Sequence, residues 1–143
     1  MKQIPFRIAA LKVEDFKLTD AKPQEEARIE VRISYEFGVN LDAHMVIARI
    51  KYKYVQAETE LLQMTLTSSF DVKEADFLSL RKDNTITLEP YFTQYLCTIN
   101  VGSARGEIHA RCEQANSVLA NVILPPINLV EALPDPIVIE LHQ

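Results

Sequence analysis

A helix that is apolar on more than one side must be covered on more than one side, and this requirement constrains the chain more than any other feature of its sequence. Within residues 88–133, Leu88, Tyr91, Phe92, Tyr95, Leu96 and Ile99 recur at helical spacing. Pro90 sits in the first turn, where its missing N–H costs nothing, and Thr87 or Glu89 is placed to cap. Farther along, Val101, Ala104 and Ile108 fall on other sides of the same helix, while Gly102, Ser103, Gly106 and Ala110 leave one flank almost without side chains. One antiparallel sheet covers one side. The small-residue flank therefore reads as the place where a second helix approaches, from this chain or from another subunit. The helix is expected over about residues 88–112. After a polar loop at 113–117 comes Val122-Ile123-Leu124-Pro125-Pro126-Ile127-Asn128-Leu129, whose two prolines remove backbone donors and exclude a central strand. It reads as an extended connector along the surface or edge of the domain.

The residues before the helix alternate instead. Ile29, Val31, Ile33, Tyr35 and Phe37 are interleaved with Arg28, Glu30, Arg32, Ser34 and Glu36, which makes one face core and the other solvent. Residues 38–42 read as a turn. A further strand offers Val46, Ala48, Ile50, Tyr52 and Tyr54 inward, and the next offers Leu62, Met64, Leu66, Phe70 and Val72. The first strand, over residues 6–18, shifts phase twice: Phe6 and Ile8 share one parity, Leu11 and Val13 the other, then Phe16 and Leu18. Such shifts suggest a bulge or a long edge strand that serves two surfaces, and edges invite pairing with another chain. Residues 19–26 form a polar loop. Residues 71–87 read as charged and irregular, with Phe77, Leu78 and Leu80 as a small apolar cluster, either one helical turn over a groove or a local packing staple.

Short connections and opposed faces predict an α+β layer over the 143 residues: four antiparallel strands at about 5–72, a crossover at 73–87, the long helix on one face, and an extended segment and tail at 118–143. One domain of this length buries about two-thirds of its unfolded surface without a disulfide or metal staple. The first residues lack the apolar core of a signal peptide, and no apolar run approaches the roughly 20 residues of a membrane span, so a cytoplasmic protein with no membrane insertion is expected. Cys97 and Cys112 are then expected to be thiols.

A net charge of −5 argues against nucleic acid as a partner. Arg28, Arg32, Arg49, Lys51 and Lys53 tempt that reading, but interleaved glutamates make a solvated sheet face the better one. No nucleophile is spaced with a base, no pair of carboxylates is set for acid–base work, and the glycines are Gly38, Gly102 and Gly106 alone, too few for a phosphate loop. No catalytic residue, cofactor or enzyme activity is expected. Glu107, His109 and Cys112 lie close in sequence, yet a metal needs three or four ligands and only the distant His44 and His142 remain, so no metal site is expected.

The aromatic-rich helix start (Pro90, Tyr91), the Ser-x-Arg-Gly near its end (Ser103, Arg105, Gly106) and Leu-Pro-Pro-Ile-Asn-Leu leading to Ala132-Leu133 resemble the carboxy-terminal half of the SecB family of export chaperones. In that family a helix opens with Pro-Tyr-Ala, an Arg-Gly step follows, and an Ala-Pro-Val-Asn-Phe-like segment precedes Asp-Ala-Leu. The order of elements before Leu88 also fits. The resemblance implies an ATP-independent holdase for unfolded or extended polypeptides, with export as one setting, assembled as a dimer or dimer of dimers. It implies client contacts at the crossover residues Phe77, Leu78 and Leu80 and at Ile123, Leu124, Ile127 and Leu129. It also implies an interface between copies at Phe6, Ile8, Leu11 and Val13, which joins the small flank of Gly102, Ser103 and Gly106. The alternative is a small-ligand-binding or scaffold domain, with an apolar pocket between helix and sheet lined by Tyr52, Tyr54, Tyr91, Phe92 and Tyr95.

After Leu133 the family usually continues with another helix and an ending that helps contact the translocation motor. This chain has Pro134-Asp135-Pro136 and then Ile137, Val138, Ile139 and Leu141, and the motor is left open as a partner. A tail this apolar must pack somewhere, either as an added edge strand or in the groove that would take a client.

Overall fold

Alternation becomes a sheet of four antiparallel strands, β1 (Phe6–Leu18), β2 (Glu30–Asn40), β3 (Met45–Gln56) and β4 (Thr59–Val72), in the order β1-β4-β3-β2. The computed structural model describes residues 3–24 and 27–141; the end of the expected loop at 25–26, residues 1–2 and the tail's His142 and Gln143 lie outside the described residues. Both phase shifts of β1 are bulges. Its pairing with β4 skips a residue between Ile8 and Ala10 and again between Val13 and Asp15. Each bulge turns the following side chains to the other face, and β1 ends as an edge strand with its outer backbone unpaired among the described residues.

The central strands behave as their alternation requires: Val46, Ala48, Ile50, Tyr52 and Tyr54 of β3 and Leu62, Met64, Leu66 and Phe70 of β4 are all buried. The turn expected at 38–42 starts later, because Gly38 and Val39 still pair with Ile47 and Val46. Asn40 closes it by accepting the Ala43 N–H through Oδ1 at 3.1 Å, and His44 takes the left-handed φ of 55°.

Residues 73–87 are not irregular. They form α1 (Glu74–Ser79), β5 (Arg81–Lys82) and β6 (Thr85–Leu88), and the tail supplies β7 (Ile137–Glu140) to complete a second antiparallel sheet, β5-β6-β7. Leu88 thus belongs to β6. The long helix α2 runs Pro90–Gln114 with Pro90 in its first turn; Glu89 is the N-cap by backbone geometry and makes no side-chain cap, and Thr87 lies in β6. Beyond it come a 3-10 turn (Val118–Asn121), an extended stretch and the one-turn helix α3 (Leu129–Ala132).

The buried stripe of α2 is Phe92, Thr93, Leu96, Cys97, Asn100, Val101, Ala104, Ile108 and Cys112, so Val101, Ala104 and Ile108 continue the stripe of Phe92 and Leu96 instead of leaving it. Tyr95, expected on that stripe, is 61% exposed. The polar Asn100 explains the rotation. Fully buried, its Oδ1 accepts the Tyr52 hydroxyl at 2.6 Å, and its Nδ2 donates to Ser68 Oγ at 2.9 Å and to the Leu66 carbonyl at 3.1 Å. A buried amide must find partners, and these lie only where α2 crosses β3 and β4.

The helix's second cover is the chain's own extended segment. Arg105 donates from Nε to the Leu124 carbonyl at 2.6 Å and from Nη2 to the Pro125 carbonyl at 3.0 Å; Gln94 donates to the Leu133 carbonyl at 2.9 Å; the Tyr54 hydroxyl donates to the Val122 carbonyl at 3.2 Å. Leu119, Leu124, Leu129 and Leu133 fill the space beneath.

Replacing Asn100 by Ala leaves the Tyr52 hydroxyl without its acceptor in an apolar interior and takes one donor from Ser68, whose own hydroxyl still donates to the Ala48 carbonyl at 3.2 Å. We expect a loss of about 2–4 kcal/mol in chemical unfolding, with the far-ultraviolet spectrum retained.

Candidate functional site

Rotating α2 so that Asn100 meets the sheet leaves another flank facing β1. Tyr91, Tyr95 and Ile99 form its first half and Gly102, Ser103 and Gly106 its second, and two adjoining clefts run between this flank and the edge strand. The first cleft has a volume of about 980 Å³ and is walled by Ile4, Phe6 and Ile8 on one side and Tyr91, Tyr95 and Ile99 on the other. Phe6 anchors it, meeting Phe70, Phe92 and Tyr95 edge-to-face with ring centroids at 5.4, 6.0 and 5.3 Å. Ile8 remains 47% exposed, and the cleft's one charged lining residue, Arg7, is turned to Asp71. The second cleft, about 600 Å³, places Leu11 and Val13 across from Gly102, Ser103 and Gly106 and ends at Glu107 and Arg111, which pair at 3.0 Å.

The residues expected at an interface between copies line two clefts along the same strand and helix: Phe6 and Ile8 the first, and Leu11, Val13, Gly102, Ser103 and Gly106 the second, so that the two clefts make up one strip of β1 and α2. Sequence reasoning missed that Tyr91, Tyr95 and Ile99 share this strip, since their spacing fits a core face equally well.

The expected client contacts separate. Phe77 is buried beside His44, 5.5 Å between ring centroids, in the cluster of Phe70, Ile86, Leu88 and Phe92, and Leu80 packs on the same cluster half-buried. Leu124 and Leu129 are buried in the other cluster, beneath the extended segment, with Ile127 packed against it. Phe77, Leu124 and Leu129 are thus core rather than client surface, because each closes the underside of its own segment; only Leu78 and Ile123 stand half exposed. The pocket between helix and sheet is likewise filled. Tyr52 and Tyr54 are fully buried, with their hydroxyls spent on Asn100 and Val122, and Tyr91, Phe92 and Tyr95 face the outer cleft.

The outer sheet face is charged and largely paired. Arg49 reaches Glu14 at 2.7 Å and Glu36 at 3.8 Å, Arg32 reaches Glu58 and Glu30, and Lys53 reaches Glu60 at 3.4 Å. The Arg49 guanidinium, aided by Thr67, holds the Glu14 carboxyl below the usual range, and the Thr65 hydroxyl with the Gln63 amide does the same for Asp15. A face neutralised this way offers little to a phosphate backbone.

His109 has both ring nitrogens occupied, Nδ1 by the Ala120 carbonyl at 3.0 Å and Nε2 by Glu113 at 2.7 Å, while Cys112 points into the core. No cluster of three metal-ligating side chains occurs among the described residues. Burial pushes the Cys97 thiol up to about 12 and raises that of Cys112. Among the described residues no helix is long and apolar enough to cross a membrane.

No protein-family model matches this sequence, and no curated protein sequence does either. Its structure is similar to that of the Mycobacterium tuberculosis Rv1957 SecB-like chaperone, solved in complex with a ChAD peptide from the Rv1956 HigA1 antitoxin, with a TM-score of 0.56 over 86% of this chain and 91% of that one. The fold is SecB-like. Sequence identity between the two is 7%, so what they share is the four-stranded antiparallel sheet with a long helix on one face.

Two outcomes follow from this geometry. A Cβ on Gly102 or Gly106 meets no atom within 4 Å, so Gly102→Ala should stabilise the isolated chain by up to about 1 kcal/mol in chemical unfolding, through helix propensity alone. Cys97 keeps its proton in the folded state up to about pH 12, whereas an ordinary thiol loses it near 9.0. Stability from this neutral thiol is complete below pH 9.0 and is lost as pH rises toward about 12. Cys97→Ala should flatten the alkaline slope of stability by about one proton, and Cys97 should resist thiol reagents at pH 8 until the protein is unfolded.

Proposed function

We propose that the protein is an ATP-independent holdase that takes up extended, apolar segments of unfolded polypeptide, working in a reducing cytoplasmic setting without metal or cofactor. One observation carries the reading. An unpaired strand edge, β1, lies beside an open aromatic cleft, so an extended chain laid there gains backbone hydrogen bonds and buries alternate side chains at once. Apolar burial of this kind is sequence-tolerant, as a holdase requires, because it scales with area and not with particular donors. The peptide-bound SecB-like chaperone of similar fold supports the reading. Whether clients are exported proteins or a single dedicated partner is a matter of which segments reach the cleft.

The same strip has the make-up of a contact between copies. β1 of a second chain can pair along the edge, and the small residues Gly102, Ser103 and Gly106 let a second helix approach closely. A dimer or dimer of dimers formed there would compete with clients for β1. Clients would then turn to Leu78 and Ile123.

The test pairs client holding with mass. Wild type should delay aggregation of a chemically denatured client with neither nucleotide nor metal, and EDTA should change nothing. Ile8→Asp with Tyr95→Asp places two charges in the first cleft and should abolish most of that delay; Gly102→Leu blocks a close helix approach and should lower the mass in light scattering if copies meet at the second cleft. No delay by wild type at several-fold molar excess sinks the holdase reading. A charged variant that falls to a single chain yet still holds clients assigns the first cleft to self-association.

A further inference from the structure

β7 shows what the second sheet accepts. Ile137–Glu140 pairs antiparallel with β6 in the register Leu88↔Ile137, Thr87↔Val138, Ile86↔Ile139 and Thr85↔Glu140, and one more backbone bond runs from the Leu141 N–H to the Asn84 carbonyl at 2.7 Å. Ile137 and Ile139 sit half-buried on the cluster of Phe70, Phe77, Ile86, Leu88 and Phe92, while Val138 between them is 58% exposed. Backbone pairing and the side chains of Ile137 and Ile139, with Leu141 packed on the same cluster just beyond them, bind this strand. Any extended segment with aliphatic residues at alternate positions presents the same features.

The approach to β7 is pinned at one residue and exposed beyond it. Leu133 is buried and its carbonyl accepts the Gln94 amide at 2.9 Å, so the chain is pinned there. Pro134, Asp135 and Pro136, all exposed, follow the pin and lead into the strand. A tail leaving its place from residue 134 onward takes with it neither the α2 stripe nor the Arg105 contacts.

We propose that β7 is a detachable strand occupying an acceptor slot on β6, and that extended polypeptide segments with alternating aliphatic residues enter this slot when β7 leaves. The inference rests on the holdase reading for its clients, but the slot itself is shown by the strand already in it. It makes the tail a built-in competitor. Being tethered, β7 acts at an effective concentration in the millimolar range for a short linker, of order 1 mM, and a client's apparent affinity falls by the fraction of molecules with the slot open. Apolar segments at high local concentration displace β7, while isolated, weakly apolar ones do not. The slot shares its floor with the first cleft, since Phe92 belongs both to the β7 cluster and to the wall facing Phe6.

The test uses the full chain, a variant ending at Leu133, and Thr87→Cys with Val138→Cys, whose directly opposed positions allow oxidation to fasten β7 to β6. The probe is a fluorescent peptide with the sequence of residues 134–141, and its control carries Asp in place of both isoleucines. The truncated variant should bind the probe at least about tenfold more tightly than the full chain, the oxidised variant should not bind it, reduction should restore the behaviour of the full chain, and the control should bind to none. Equal binding by the oxidised and reduced forms overturns the proposal, and this comparison stands even where truncation prevents folding. Client aggregation on the same forms separates the two readings. Probe binding with no delay by any form removes the holdase reading and keeps the slot; equal delay by all forms keeps the holdase and removes self-competition.

Discussion

The amide of Asn100, held out of water between Tyr52, Ser68 and the Leu66 carbonyl, sets the rotation of the long helix on the sheet. An apolar stripe tolerates small rotations, because one aliphatic contact replaces another at little cost. A buried amide does not, since each lost partner leaves an unpaired polar atom in an apolar interior. Turning α2 away would cost the amide these bonds and leave the Tyr52 hydroxyl without its acceptor. Fixing that rotation decides the rest: Cys97, Ala104 and Ile108 go inward, Arg105 comes to lie under the extended segment, and Tyr91, Tyr95 and Gly102 are left facing the edge strand.

The extended segment shows how a piece of chain without strand partners is held down. Its prolines cannot donate, and its carbonyls need donors from outside a ladder. Arg105 serves two of them and Tyr54 one, while His109 and Gln94 hold its flanks through the carbonyls of Ala120 and Leu133. The arginine of the Ser-x-Arg-Gly step thus works as a structural clamp, and its neighbour Gly106 opens the opposite flank. One short stretch of helix determines both a closed side and an open one.

The two sheets divide the labour. The large sheet spends its outer face on ion pairs such as Arg49 with Glu14, which keep it solvated, and exposes its apolar character at the β1 edge, where Ile8 and Leu11 stay half exposed in the clefts beside α2. In the small sheet β7 pairs along the β6 edge, while Ile86 and Leu88 with their neighbours Ile137 and Ile139 pack on the cluster of Phe70, Phe77 and Phe92. An unguarded aliphatic edge of this sort is an aggregation hazard, and covering it with the chain's own tail is one way to manage it.

Local pattern carried much of this architecture. The period-two runs of β2 and β3, the double phase shift of β1 with its two bulges, and the helix opening at Pro90 all arise between residues a few positions apart, where backbone geometry alone dictates which side chains share a face. The strip joining Phe6, Ile8, Leu11 and Val13 to Gly102, Ser103 and Gly106 was legible only as two lists. What the sequence could not determine was relational. Tyr95 and Leu96 fit a core stripe equally well by spacing, and only the need to satisfy Asn100 from β3 and β4 sent one outward and the other in. Phe77, Leu124 and Leu129 look like surface apolar residues within their own segments, yet each is sealed by an element distant in sequence. The tail is the clearest case: its aliphatic run required burial somewhere, but its place beside β6 was decided by tertiary structure, because a strand's partner is chosen by long-range burial and pairing that no local period encodes.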